Sequence, residues 1–276
     1  LPQLETDRID HCIFVGISSN VNGGCFSVSG RLNLVVLDCV FYECKTSEMG
    51  GCIYCELDKL FESKRNCFWR CIGESMTHTF RCICPKANVD LNTIHLCAPD
   101  QISWYGSYFI KDSLTTISNV NCSSCQTYDH GPSGYFSLSN AKVEIQNTCN
   151  CTGKGIIILD NTFSSSVDQL NFFENTQTKD GHLYFAQSIT PTVSNGVFFG
   201  NSKNNFIYGT APYFTNCVFD FTLQVSNTNC QFGVNLTSTL QFGGVNQCKN
   251  KTRVFSIINH LSIHFFFMIL HLSITK

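Results

Sequence analysis

Cysteine is the residue in this chain with the most chemistry to offer. Four of its 18 cysteines, Cys52, Cys55, Cys67 and Cys71, follow the pattern Cys-x2-Cys-x11-Cys-x3-Cys, with Cys82 and Cys84 close behind. That spacing can wrap four thiolates around a zinc ion. Cys122 and Cys125 have the spacing of a redox pair, although no alternation of strand and helix surrounds them. A second explanation covers the same residues. Gly23-Gly24-Cys25-Phe26 returns as Gly50-Gly51-Cys52-Ile53 after 27 residues, and Cys71 repeats Cys44 at the same interval. A repeat places cysteines regularly with no metal in view. On this reading the Gly-Gly-Cys phrase is a beat of the repeat, and no catalytic, cofactor-binding or metal-ligating residue and no cofactor is assigned.

The repeat extends well beyond those two phrases. Phe41-Tyr-Glu-Cys44 and Phe68-Trp-Arg-Cys71 are followed by Ile94-His-Leu-Cys97, Cys122-Ser-Ser-Cys125 and Thr148-Cys-Asn-Cys151. Phe172-Phe-Glu-Asn175 and Phe198-Phe-Gly-Asn201 continue it, with worn copies at Phe14 and Phe219. Successive starts lie 27, 27, 26, 28, 26, 24, 26 and 21 residues apart. A fixed period of this size marks a repeat architecture.

Two further apolar runs keep the same time. About ten residues after each beat comes a glycine phrase: Gly24–Val28, Gly51–Cys55, Gly106–Ile110, Gly134–Leu138, Gly155–Leu159 and Gly181–Phe185, with His78–Cys82 lacking the glycine. A third run includes Leu32–Leu37, Val89–Leu91, Val143–Ile145 and Val167–Leu170. Several of these alternate apolar and polar residues, and β-branched and aromatic types dominate, as in strands with one buried face. A unit of about 26 residues with three short strands cannot bury its own apolar face and must stack on its neighbours. The expected fold is therefore all-β: a right-handed, single-stranded parallel β-helix of about nine coils.

Equivalent residues on successive coils then sit ~4.8 Å apart. Cys44, Cys71, Cys97, Cys125 and Cys151 are expected to form one column, continued by Asn175 and Asn201 as a structural ladder of stacked amides. Cys25 and Cys52 begin a second column, and Cys12 and Cys39 a third. The spacing suits disulfides and packed thiols equally.

Composition narrows the function classes. Of 276 residues only 14% are charged, the net charge is −2, and there is no basic or acidic run, which argues against nucleic-acid binding by a charged face. Fifteen cysteines lie between Cys12 and Cys151, and sequons for N-glycosylation start at Asn121, Asn150, Asn235 and Asn250. Both features suit a secreted or cell-surface protein outside the reducing cytosol. The chain begins at Leu1 without a signal peptide, as a fragment or a processed form would.

Paired phrases of the type Gly-Gly-x-apolar and Phe-x-x-Asn resemble the repeats of the polymorphic outer-membrane protein family and related surface repeat proteins of trichomonads. Residues 23–26 and 50–53 carry the first phrase with Cys in third place, and Phe172–Asn175 and Phe198–Asn201 match the second outright. The resemblance covers residues 10–225. It implies a pectin-lyase-like parallel β-helix displayed at the cell surface and linked to adhesion.

The expected function is thus a non-catalytic surface or secreted repeat protein that contacts a host or matrix ligand, protein or glycan. The alternative is a polysaccharide lyase or glycoside hydrolase, because enzymes acting on pectin use this fold; fold alone does not supply function. Against it, no arginine occurs between residues 82 and 252, acids occur singly, and Asp-Asp is absent, with Gly181-His182-Leu183 the nearest approach to a catalytic histidine motif. Rhythmic aromatics read as core; the off-beat Trp104, Tyr105 and Tyr128 are candidates for a binding surface, and Trp69 for an outward position. Three segments result: repeats over 1–225, a cap or linker over 226–253, and an apolar tail over 254–275. The tail lacks Lys, Arg, Asp and Glu and at 22 residues spans ~33 Å as a helix. It reads as a membrane anchor, with a degenerate end or a packed cap as the alternatives.

Overall fold

The computed structural model describes residues 5–97, 106–128, 130–137, 139–160, 164–186, 191–201, 207–222 and 227–234. These residues contain strands and no helix. Three long sheets run through the described residues. The first has ten strands, from Thr6–Asp10 to Asn227–Thr228, the second nine, from Ile13–Val15 to Val218–Phe219, and the third eight, from Phe26–Gly30 to Ile207–Gly209. Ser18–Ser19, Lys45–Thr46 and Ile72–Gly73 add a short three-stranded ladder at one corner. Each strand pairs in parallel with its counterpart one coil away, so the chain is a β-solenoid. Eight coils carry a strand in all three sheets, against about nine expected, and Tyr213–Thr215 and Val218–Phe219 begin another. Pairing also runs past residue 225: Asn227–Thr228 joins Phe214–Thr215, and Gln231 bridges Val218. The tail expected at 254–275, and most of the expected cap, lie outside the described residues. No helix among the described residues is long and apolar enough to cross a membrane.

The beat of the sequence is the register of the second sheet. Phe14, Phe41, Phe68, Ile94, Cys122, Thr148, Phe172, Phe198 and Phe219 pair in that order, one per coil. All point inward. Phe14, Phe41 and Phe68 stack face to face at 4.9 and 4.8 Å with 7° between ring planes. Burying each ring contributes roughly 1.5–3 kcal/mol. Ile9, Val36, Ser63, Val89, Ile117, Val143, Val167 and Val193 form the matching inner column of the first sheet.

The last two residues of each beat make the corner. Glu43, Arg70, Leu96, Ser124, Asn150 and Glu174 all have φ between 51° and 53°. One left-handed residue bends the chain sharply after each short strand and turns the next side chain inward. His11, Asp38, Arg65, Leu91, Asn119, Gln169, Asn195 and Asn216 repeat the device between the first and second sheets, with φ from 51° to 55°. L-residues pay about 1–2 kcal/mol for this conformation, and here stacked neighbours hold them in it. Arg65 forks the Asp38 carboxylate one coil away, at 2.9 and 2.6 Å, and Arg70 meets Glu43 at 3.1 Å.

The glycine phrase keeps register only in the early coils. Ile53 pairs with Phe26 and Phe80, and Phe80 with Tyr108. Beyond that, Phe109 pairs with Tyr135 and Ile110 with Phe136, which puts Gly134 beside Tyr108 instead of Gly106. The equivalence expected from sequence is two residues out. Gly134 packs against the inward Tyr108 ring, which a Cβ there would meet at 2.6 Å. Gly155 likewise pairs with His182, not Gly181, across an irregularity in the ladder.

Candidate functional site

Cys44, Cys71, Cys97, Cys125 and Cys151 each follow a left-handed corner residue and are completely buried. The thiols of Cys71, Cys97 and Cys125 donate to the carbonyl of the beat residue one coil back, at Phe41, Phe68 and Ile94, over 3.4, 3.8 and 3.9 Å. Asn175 and Asn201 serve the same carbonyls through Nδ2, donating to Thr148 at 3.0 Å and Phe172 at 2.8 Å. Each asparagine also accepts, through Oδ1, a backbone N–H of the preceding corner: Cys151 N–H at 2.9 Å and Asn175 N–H at 3.1 Å. Cys and Asn alternate at this site because both can satisfy an inward carbonyl. Only Asn can satisfy an amide as well.

The Cys12 and Cys39 column follows the same rule, and sequence reading missed its continuation. Asn66 accepts from Cys39 N–H at 2.8 Å and donates to the Val36 carbonyl at 2.8 Å. Asn92 accepts from Asn66 N–H at 2.9 Å. The signal was available, since Asn66 and Asn92 lie 27 and 53 residues after Cys39.

Where sequence reading kept the columns separate, the fold brings two of them side by side. The Sγ atoms of Cys25, Cys44 and Cys52 all lie within 4.8 Å of one another. Cys71 adjoins this group through Cys44 and Cys52. Thiol hydrogen bonds from Cys25, Cys52 and Cys71 hold Cys44 well below the usual thiol range, while burial pushes Cys52 up. Two tight glycines make the approach: a Cβ on Gly24 would lie 2.1 Å from the Gly51 oxygen, and one on Gly51 2.0 Å from the His78 oxygen. Of the four cysteines whose sequence spacing suggested zinc, only Cys52 and Cys71 meet. Cys55 faces a different inner column, paired with Cys82, and Cys67 lies outside the main core beside Val40 and Trp69 and is disulfide-bonded. Cys122 points inward, its thiol donating to the Ser133 carbonyl at 3.4 Å, and burial pushes it up.

On the outer faces, aromatic side chains stack coil upon coil. Trp69 meets Tyr42 at 6.2 Å and His95 at 5.3 Å, both edge to face, on the second sheet. On the third, the Arg81 guanidinium lies 4.9 Å over the Phe109 ring and 5.9 Å from that of Tyr54, and Phe109 stacks on Tyr135 at 5.1 Å; Phe109 and Tyr135 are themselves buried, in a cluster with Ile158. Tyr128 is exposed; Trp104 and Tyr105 lie outside the described residues. Asn121, Asn147 and Asn171 form an outward amide ladder at 2.7 and 2.8 Å, which occupies one sequon asparagine. Asn150 stands exposed at a corner. Asn235 and Asn250 lie outside the described residues.

Three carboxylates at or beside the corners meet cations: Asp38 with Arg65, Glu43 with Arg70, and Asp90 with Lys64. Asp10, His11 and Asp38 approach one another closely enough to suggest a cation site, but Arg8 already pairs with Asp10 at 2.6 Å and Arg65 with Asp38. No protein-family model, curated protein or solved structure matches this chain.

Proposed function

We propose that this chain is a non-catalytic repeat scaffold, secreted or held at the cell surface, that presents a long side of the solenoid to a host or matrix ligand. The observation that carries the reading is the outer column of Tyr42, Trp69 and His95 on the second sheet, partly exposed and in contact coil upon coil. Rigid aromatics at the rung spacing form a surface suited to protein or glycan contact at low entropic cost. The pairing of corner acids with cations agrees with a structural use of those carboxylates. The exposed sequon at Asn150 agrees with a secreted or surface location, and the short repeat phrases are similar to those of the surface repeat families named above. A membrane anchor at 254–275 belongs to the same proposal.

The test is antibody labelling of the tagged full-length protein on intact cells. The reading requires labelling without permeabilisation. Signal only after permeabilisation overturns the location. Release of reducing ends or unsaturated sugars from pectin by the purified protein overturns the non-catalytic assignment.

A further inference from the structure

The Gly-Gly-Cys phrase occurs twice and then stops, although the coils continue. At the next positions of its column stand Thr79 and Ser107: Cys25 N–H donates to the Cys52 carbonyl, Cys52 N–H to that of Thr79, and Thr79 N–H to that of Ser107. The neighbouring corner column stays cysteine for five coils, through Cys151. Among the described residues, three thiols that all lie within 4.8 Å of one another occur at Cys25, Cys44 and Cys52, where two cysteine columns run side by side and Cys71 adjoins them. A single column gives each sulfur one neighbour above and one below, a line that no tetrahedral ion can use. Two adjacent columns give a cage.

We propose that these four thiols bind one thiophilic d10 metal ion, Zn2+, in an all-sulfur site inside the first coils. Four sulfurs in tetrahedral array are the donor set for this ion, with Zn–S near 2.3 Å and hence S···S of about 3.8 Å. Cys25, Cys44 and Cys52 already lie within 4.8 Å of one another; Cys71, on the coil after Cys44 and Cys52, adjoins both and swings toward Cys25 to complete the set. Gly24 and Gly51 allow the two phrases to approach, because any side chain there would strike backbone. Cys25, the one half-buried member, opens the cage toward solvent, while the other three are completely buried. Each sulfur ligates as a thiolate: every S–H proton still present leaves to solvent as its Zn–S bond forms, and no electrons move. The Cys71 thiol, now donating to the Phe41 carbonyl, gives up that hydrogen bond. Affinity must therefore rise with pH.

The full-length chain, purified anaerobically with thiols kept reduced, is titrated with Zn2+ and its metal content measured by mass spectrometry. The zinc X-ray absorption edge then gives the ligand atoms. The proposal requires one zinc per chain and a shell of four sulfurs near 2.3 Å. Zinc affinity should fall at least tenfold in Cys25→Ser/Cys44→Ser and hold in Cys97→Ser/Cys125→Ser, which removes two buried thiols from the single column. No bound zinc at excess metal, a shell containing nitrogen or oxygen, equal losses in both variants, or Cys25–Cys52 and Cys44–Cys71 disulfides in protein alkylated on isolation would each overturn it. If the first variant does not fold, the sulfur count of the wild-type shell decides alone.

Discussion

Phe68→Ala tests the inner aromatic stack where it is tightest. The ring is completely buried, lies 4.8 Å from Phe41 at 7°, and touches Phe80 at 5.9 Å. Truncation removes the transfer energy of the ring and leaves a cavity that rigid β-coils on both sides cannot close, which places the loss at about 3–5 kcal/mol. Phe14 offers an internal control. It sits in the same column and stacks on Phe41 equally well, but in the first described coil, where it is only half-buried. Phe14→Ala should therefore cost roughly 1–2 kcal/mol. Urea unfolding followed by Trp69 fluorescence, in a Trp104→Phe background because the chain has two tryptophans, reports on the coil that carries Phe68. Because coils couple mainly to nearest neighbours, the Phe68 variant should lower the midpoint of that signal clearly and the Phe14 variant only slightly. Equal losses, or a Phe68 cost under about 1 kcal/mol, would refute the continuous inner stack.

Other perturbations separate the devices of the fold. Gly51→Ala places a Cβ 2.0 Å from the His78 oxygen and should cost more than the 1–3 kcal/mol typical of overpacking, read as loss of soluble folded protein; Gly16→Ala, with nothing within 4 Å of its Cβ, should cost only about 1–2 kcal/mol for its left-handed backbone. Asn175→Ala strands the Cys151 N–H and the Thr148 carbonyl and should lose roughly 2–4 kcal/mol in urea titration, at 1–3 kcal/mol for each unsatisfied group. Burial lowers the His78 pKa to about 3, against about 6.5 unfolded; unfolding then takes up a proton below the higher value, so stability falls as pH drops through that window, by roughly 2–3 kcal/mol between pH 7 and pH 4.5. His78→Asn should flatten that part of the pH profile, and an unchanged slope would assign it to other groups.

The beat was legible in the sequence because one inward side chain and one left-handed corner residue recur at a nearly constant interval. Phe14 through Phe219 could be aligned by eye, and the sheet register follows that alignment. The glycine phrase was less legible after Gly106, because its glycine no longer holds one place in the register: Gly134 falls beside Tyr108 and Gly155 beside His182. Period along the chain also says nothing about proximity across it. The Cys25 and Cys44 columns lie on different beats, and only the corner geometry turns them toward each other. Asn66 and Asn92 escaped notice because a cysteine column was followed by residue type, whereas the site selects whatever can satisfy an inward carbonyl.

The most direct test of in-register coils is a photocrosslink from a defined outward position. Tyr54 pairs with Ser27 on one side and Arg81 on the other. A benzophenone amino acid at position 54, irradiated in the folded protein and mapped by mass spectrometry, should label peptides around Ser27 and Arg81, each 27 residues away. Labelling centred on other coils, or only on residues adjacent to position 54 in sequence, would contradict the solenoid register on which the thiol cage and the outer column both depend.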